Sequence, residues 1–225
     1  SEFMEMNNNI QDYGSISFII TSDEEGKAIN GTKKVVEWLI NKSEKISGCI
    51  VGEPTNVNQM GDTIKIGRRG SFTGSLIVKG IQGHVGYPDL AENPINSLLK
   101  MLAPFTKIYL DKGTSEFQPS SVMITTIDVN NDASNVIPGE VKAKFNIRFN
   151  TLHSVASLKS MLKNQFDAIT KNYEFDYFCN AEPFLTSDEE LKLTLQNAIK
   201  KVVNVNPEKS TTGGTSDARF ITKLC

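Results

Sequence analysis

The chain has 225 residues, 39% of them hydrophobic and 22% charged, with a formal net charge of -2. That balance is the one of an ordinary globular protein, large enough for one big domain or two small ones. It removes any electrostatic argument for nucleic acid or an anionic membrane surface as a partner.

No apolar run approaches the roughly 20 residues needed to span a bilayer, and no signal peptide is visible. The three cysteines, Cys49, Cys179 and Cys225, are odd in number and widely spaced, with no metal or redox motif. A reducing cytoplasm is therefore expected. His84 and His153 are the two histidines, so a metal site built mainly from histidine cannot be made from this chain alone. The opening "SEF" before Met4 reads as a vector scar, and the chain stops in the apolar stretch "FITKLC". Both ends lead to the expectation of a piece of a larger protein.

In chain order, Ser15 to Ile20 is a β-branched and aromatic run that predicts a buried strand. "GTKKVVEWLINKSE" follows, with Val35, Val36, Leu39 and Ile40 at helical spacing, and "SGCIVGEPT" predicts a second short strand. Strand, helix and strand in that order predict a parallel βαβ unit. From Arg69 onward, "GSFTGSLIVKG" alternates as an amphipathic strand, and "NPINSLLKMLAPFTKI" is helical with Pro94 in the first turn. "SSVMITTIDV" and "GEVKAKFNIRF" predict strands, "SVASLKSMLKNQFDAIT" a helix and "YEFDYFC" a last strand. The order β-α-β-β-α-β is the ferredoxin-like arrangement. Finally, "SDEELKLTLQNAIKKVV" is an amphipathic helix, and "STTGGTSDARFI" a Gly-rich loop running into an apolar segment expected to return to the first domain. The expected fold class is α/β. A partial α/β domain (1–68 and 182–225) is interrupted by a ferredoxin-like domain at about 69–181.

The letters TSDEE occur twice, at Thr21–Glu25 and Thr186–Glu190. Both contain a possible capping box, Ser22 with Glu25 and Ser187 with Glu190. The second copy precedes a long helix; Asp188, Glu189 and Glu190 suit its dipole, and Phe184 or Leu185 could staple it. The first copy follows a predicted strand, where open parallel sheets bind ligands. Asp23, Glu24 and Glu25 would gather there with Glu53 of "GEPT", and metal ions or a shared proton would relieve their repulsion. A solvated acidic loop accounts for the same spacing equally well.

Several segments in one order then carry a resemblance: "TSDEEG", "GEPT", "GRRGS", "GIQGHVGYPDLAENPI", "NVIPGE", "FNIRF" and "GGTSDARF". From about Ser15 to the end the chain resembles the succinyl-diaminopimelate desuccinylase family, dinuclear-zinc amidohydrolases of lysine and diaminopimelate biosynthesis. The resemblance implies a zinc-peptidase-like catalytic domain and a dimerisation domain. It implies hydrolysis of an N-succinyl amide by zinc-activated water. By resemblance, Glu24 is the general base, Glu25 a ligand to one zinc and Glu53 a ligand to the other. His84 would reach the neighbouring subunit's site and stabilise the oxyanion. Arg68 or Arg69, Asn135, Arg148 and Thr215 would anchor the substrate. Arg148 lies between Ile147 and Phe149, so alternation points it away from them. The Gly213–Gly214 pair would let backbone N–H groups approach an anion. His153 matches no motif and is expected at the surface.

The departures from that pattern matter. The family's H-x-D segment and bridging Asp lie upstream of this chain, and a further histidine ligand lies downstream of Cys225. Ser134 stands where the family often has Asn. Two Zn²⁺ per subunit, with Co²⁺ as a possible replacement, and a homodimer through the inserted domain are implied for the whole enzyme. The 225-residue chain is expected to bind zinc weakly and to be inactive. A related zinc aminoacylase or carboxypeptidase is the alternative enzyme, and a non-catalytic dimerisation module is the alternative for the chain itself.

Overall fold

A computed structural model describes residues 14–24, 28–214 and 216–225. The alternating segments build its centre. Strand β3 (Gly70–Lys79) buries Phe72, Leu76 and Val78 on one side and leaves Thr73 exposed on the other. Strand β7 (Glu140–Phe149) does the same with Val141, Ala143, Phe145, Ile147 and Phe149. They pair antiparallel over their full length, Gly70 opposite Phe149. Strands β5 (Ser121–Asp128) and β8 (Tyr173–Ala181) complete a four-stranded antiparallel sheet in the order β5-β7-β3-β8. Register shifts at Ser71/Phe72 and Ile124/Thr126 bend its two outer pairings.

Two helices cover one face. Helix α2 (Pro94–Leu102) starts where Asn93 accepts a hydrogen bond from the Ile95 N–H at 3.0 Å, and Pro94 occupies the first turn, where its missing N–H costs nothing. Helix α3 (Val155–Asp167) carries a reciprocal cap between Ser154 and Ser157. Leu98, Met101, Leu158, Leu162 and Phe166 pack with Phe72, Leu76 and Phe145 into one dry core. The element order is β-α-β-β-α-β, as expected, and among the described residues the opposite face of the sheet carries no helix.

The remainder flanks this unit. Helix α1 is Thr32–Asn41. Strand β1 (Thr63–Lys65) pairs parallel with β10 (Glu208–Ser210), which brings the tail of the chain back beside the segment that precedes the sheet. Strand β2 (Gly67–Arg68) pairs antiparallel with β9 (Phe184–Leu185), and β4 (Gly83–His84) with β6 (Val136–Ile137). Helices α4 (Glu189–Val203) and α5 (Ala218–Ile221) close the order.

Four expectations need correction. Residues 14–20 form no strand and are exposed, Phe18 at 86%. Residues 47–55 form no strand either, so the predicted βαβ unit is absent among the described residues. An apolar run becomes a strand only when a neighbouring backbone takes up its N–H and C=O groups, and no described strand lies beside either run. Helix α4 is capped one residue later than the box predicted: Asp188, not Ser187, accepts from the Leu191 N–H at 2.9 Å. His153 is largely covered and pairs with Asp111 at 3.2 Å.

Candidate active site

The Gly-rich tail loop and the end of the β1–β2 segment come together. Arg68 donates from Nη1 to the Thr212 carbonyl at 2.7 Å. Gly213 lies directly over that guanidinium: a Cβ there would sit 2.5 Å from Nη1, and its φ of +99° belongs to the region only glycine enters freely. Lys65, three residues before Arg68, donates from Nζ to Ser210 Oγ at 3.1 Å and Thr212 Oγ1 at 2.7 Å. A cavity of about 160 Å³ opens beside them, lined among others by Glu53, Thr55, Lys65, Arg68, Lys192 and Ser216. Burial lowers the Arg68 pKa, and the carboxylate of Glu53 acts against that shift. Glu53 and Arg68, 15 residues apart in sequence, thus share one cavity and one electrostatic environment.

The second cluster lies on β4 and β6. His84 stands opposite Val136, and the Val85 N–H donates to the Asn135 carbonyl at 3.0 Å, so His84 and Asn135 share one exposed edge. The His84 ring accepts from the Gly86 N–H through Nδ1 at 3.0 Å, which leaves the proton on Nε2 in the neutral ring. Its ring centroid lies 5.9 Å from that of Tyr87.

Arg148 occupies the uncovered face of the sheet, in register with Ser71 and Ser121. Ile147 and Phe149 on either side are wholly buried. Arg69 is on this side too. It donates to the Pro119 carbonyl at 2.9 Å, and burial, then the charge of Arg148, lowers its pKa. The two neighbouring arginines therefore do different things: Arg68 borders the Glu53 cavity, and Arg69 ties the sheet to the 111–120 loop.

Glu24 lies half-buried in a turn after Asp23. The Asp23 carboxylate accepts from the N–H groups of Ile29 at 2.7 Å and Asn30 at 2.8 Å, so that acid organises its own loop. Glu25 and Thr215 lie outside the described residues. Among the described residues no three His, Cys, Asp or Glu side chains gather as a metal ion requires. Sequence reasoning missed Lys65 and its hydroxyl partners, because Ser210 and Thr212 are 145 and 147 residues away and no local pattern announces that meeting.

A family model described as a peptidase dimerisation domain matches residues 66–174. A succinyl-diaminopimelate desuccinylase of Pelagibacter ubique is 53% identical over 94% of this chain and 56% of its own length. One of Parvibaculum lavamentivorans is 51% identical over 92% of this chain and 54% of its own. The chain spans about half the length of the curated relatives it matches. Among solved structures, an M20 family metallo-carboxypeptidase from Sulfolobus solfataricus superposes with a TM-score of 0.69 at 16% identity, over 90% of this chain and 58% of that one. Aminopeptidase PepT from Bacillus cereus gives 0.66 at 17% identity, over 91% and 52%; at such identities the likeness concerns the fold. Residues 66–174 thus match a peptidase dimerisation domain, and nearly the whole chain is similar to about half the length of succinyl-diaminopimelate desuccinylases.

Proposed function

We propose that the whole protein hydrolyses N-succinyl-LL-2,6-diaminopimelate to succinate and LL-2,6-diaminopimelate, in the cytoplasm and as a homodimer. The observation that carries this reading is the identity of 53% to a relative of that name across 94% of the chain. We divide the chain at about 69 and 181 into an inserted dimerisation unit and two flanking pieces of a catalytic domain. The reaction adds water across an amide: the C–N bond breaks, the acyl carbon becomes a carboxylate and the nitrogen leaves as an amine. Glu24 is assigned as the general base that accepts a proton from the attacking water. His84 is assigned to the oxyanion in the partner subunit's site, and its exposed position, with Nδ1 already engaged, supports a free Nε2–H donor.

The substrate carries several carboxylates, so cationic anchors are needed. Arg68 is preferred over Arg69 because it borders the Glu53 cavity while Arg69 is committed to Pro119. Arg148 on the uncovered sheet face, Asn135 beside His84, and Thr215 complete the proposed anchors. The similarity to the desuccinylases supports a metal cofactor, with two Zn²⁺ as the finer proposal and Glu25 and Glu53 as ligands to different ions. The described residues do not assemble a metal set by themselves. The test is succinate release by the full-length, metal-loaded protein. Failure on this substrate with turnover of another N-acyl amino acid would overturn the reading in favour of an aminoacylase or carboxypeptidase.

A further inference from the structure

Two chain crossings join the inserted unit to its flanks, at 68–70 and 181–184. They run side by side, Gly67 paired with Leu185 and Arg68 with Phe184. The fit is tight: a Cβ on Gly67 would meet the Phe184 carbonyl at 2.4 Å, and one on Gly70 the Phe149 ring at 2.5 Å. Two adjacent strands define a hinge line but leave rotation about it free. A contact away from the line is needed to set the angle.

One such contact exists. Thr211, 1% exposed, donates from Oγ1 to the Glu116 carbonyl at 2.5 Å, from the flanking part to the inserted unit. Glu116 belongs to a loop with little freedom of its own. The Thr114 N–H donates to the Phe117 carbonyl at 2.9 Å, Thr114 Oγ1 accepts from the Phe117 N–H at 3.0 Å, and the Phe117 ring is buried. Asp111 pins both ends, accepting from the N–H groups of Gly113 at 2.6 Å and Ser120 at 3.1 Å. It also accepts from Asn150 Nδ2 at 2.9 Å. On the catalytic side, Thr211 immediately precedes Thr212, which receives Arg68 on its carbonyl and Lys65 on its hydroxyl.

We propose that the Thr211–Glu116 hydrogen bond is a latch that fixes the inserted unit against the Gly-rich loop. Thr211 is thereby a positioning residue for Arg68 and the 212–214 segment. The catalytic consequence rests on the desuccinylase reading above; the latch itself does not. The experiment is hydrogen–deuterium exchange on the full-length protein and on Thr211→Val, Thr211→Ala and Thr211→Ser, with steady-state kinetics alongside. Thr211→Val and Thr211→Ala are expected to speed exchange in both 113–120 and 208–214 by about fivefold, the worth of one net hydrogen bond. Exchange in the core strands 72–78 and 141–147 stays unchanged. In the same variants kcat/KM for the succinylated substrate falls by a similar factor, mainly through KM, and Thr211→Ser restores both readouts. Unchanged exchange in 113–120 in the Val and Ala variants, or a Ser variant that behaves like Val, would overturn the latch. Altered exchange with no turnover of the succinylated substrate by the unmodified protein would keep the latch and remove the desuccinylase reading.

Discussion

Replacing Asp111 by alanine removes a carboxylate that is 13% exposed and accepts from Gly113, Ser120, Asn150 and His153. Asn150 Nδ2 keeps a second acceptor, the Gln118 carbonyl at 3.2 Å. The Gly113 and Ser120 N–H groups keep none that replaces the carboxylate. A buried donor left unmade costs about 1–3 kcal/mol; Ser120 is fully buried and Gly113 half-buried, so the two together cost about 3 kcal/mol. For a chain of this size that lowers the thermal midpoint by about 6–12 °C, measurable by circular dichroism at pH 7. Asp111→Asn keeps one acceptor oxygen and should lose about 1 kcal/mol. The pH dependence adds a second check. Burial raises the Asp111 pKa, but hydrogen bonds involving Ser120, Gly113 and Asn150 outweigh it and leave the group below its usual range. A depressed pKa contributes stability that is full above the unfolded value of about 3.9 and is lost as pH falls through the folded value. The acid limb of the stability curve should therefore flatten in Asp111→Asn. A midpoint for Asp111→Ala within about 1 °C of the unmodified protein, against the shift expected from two orphaned donors, would refute this account.

On the proposed desuccinylase reading, Arg148→Lys in the full-length protein should reduce kcat/KM for the succinylated substrate by about 10- to 100-fold, the loss of one charge-assisted hydrogen-bonding site. Its melting point should stay close to the unmodified one, because Arg148 stands on the uncovered face; a collapse of stability instead would make it structural. Asp167 titrates at about 2, chiefly through the Tyr173 hydroxyl at 2.6 Å, with Lys171 and Lys163 assisting. Its contribution to stability is present above about pH 4 and lost as pH falls towards the folded value. Carboxyl-carbon NMR of Tyr173→Phe should show the Asp167 pKa rising, and an unmoved titration would contradict the assigned cause. Gly70→Ala drives a methyl into the buried Phe149 ring and the Ala181 carbonyl, and should cost about 1–3 kcal/mol by overpacking, read by urea denaturation.

Local pattern determined the centre of this protein. The period-two alternation of Gly70–Lys79 and Glu140–Phe149, the helical spacing around Leu98 and Leu158, and the Ser154 and Asn93 caps each specify their own element from neighbouring residues. The face taken by Arg148 also followed from its two apolar neighbours. Tertiary structure decided what depends on distant partners. Ser15–Ile20 reads as a strand but has no described ladder beside it, so its apolar side chains stay exposed. Which of Arg68 and Arg69 faces the Glu53 cavity was open in the sequence, since the two are adjacent and equally basic. Only the return of the tail, which sets the Thr212 carbonyl and the side-chain-free Gly213 against Arg68, separates them. The same holds for Lys65 with Ser210, for His153 with Asp111 and for Thr211 with Glu116. A hydrogen bond between residues tens to more than a hundred positions apart leaves no periodic trace, because only the folded backbone brings its donor within reach of its acceptor.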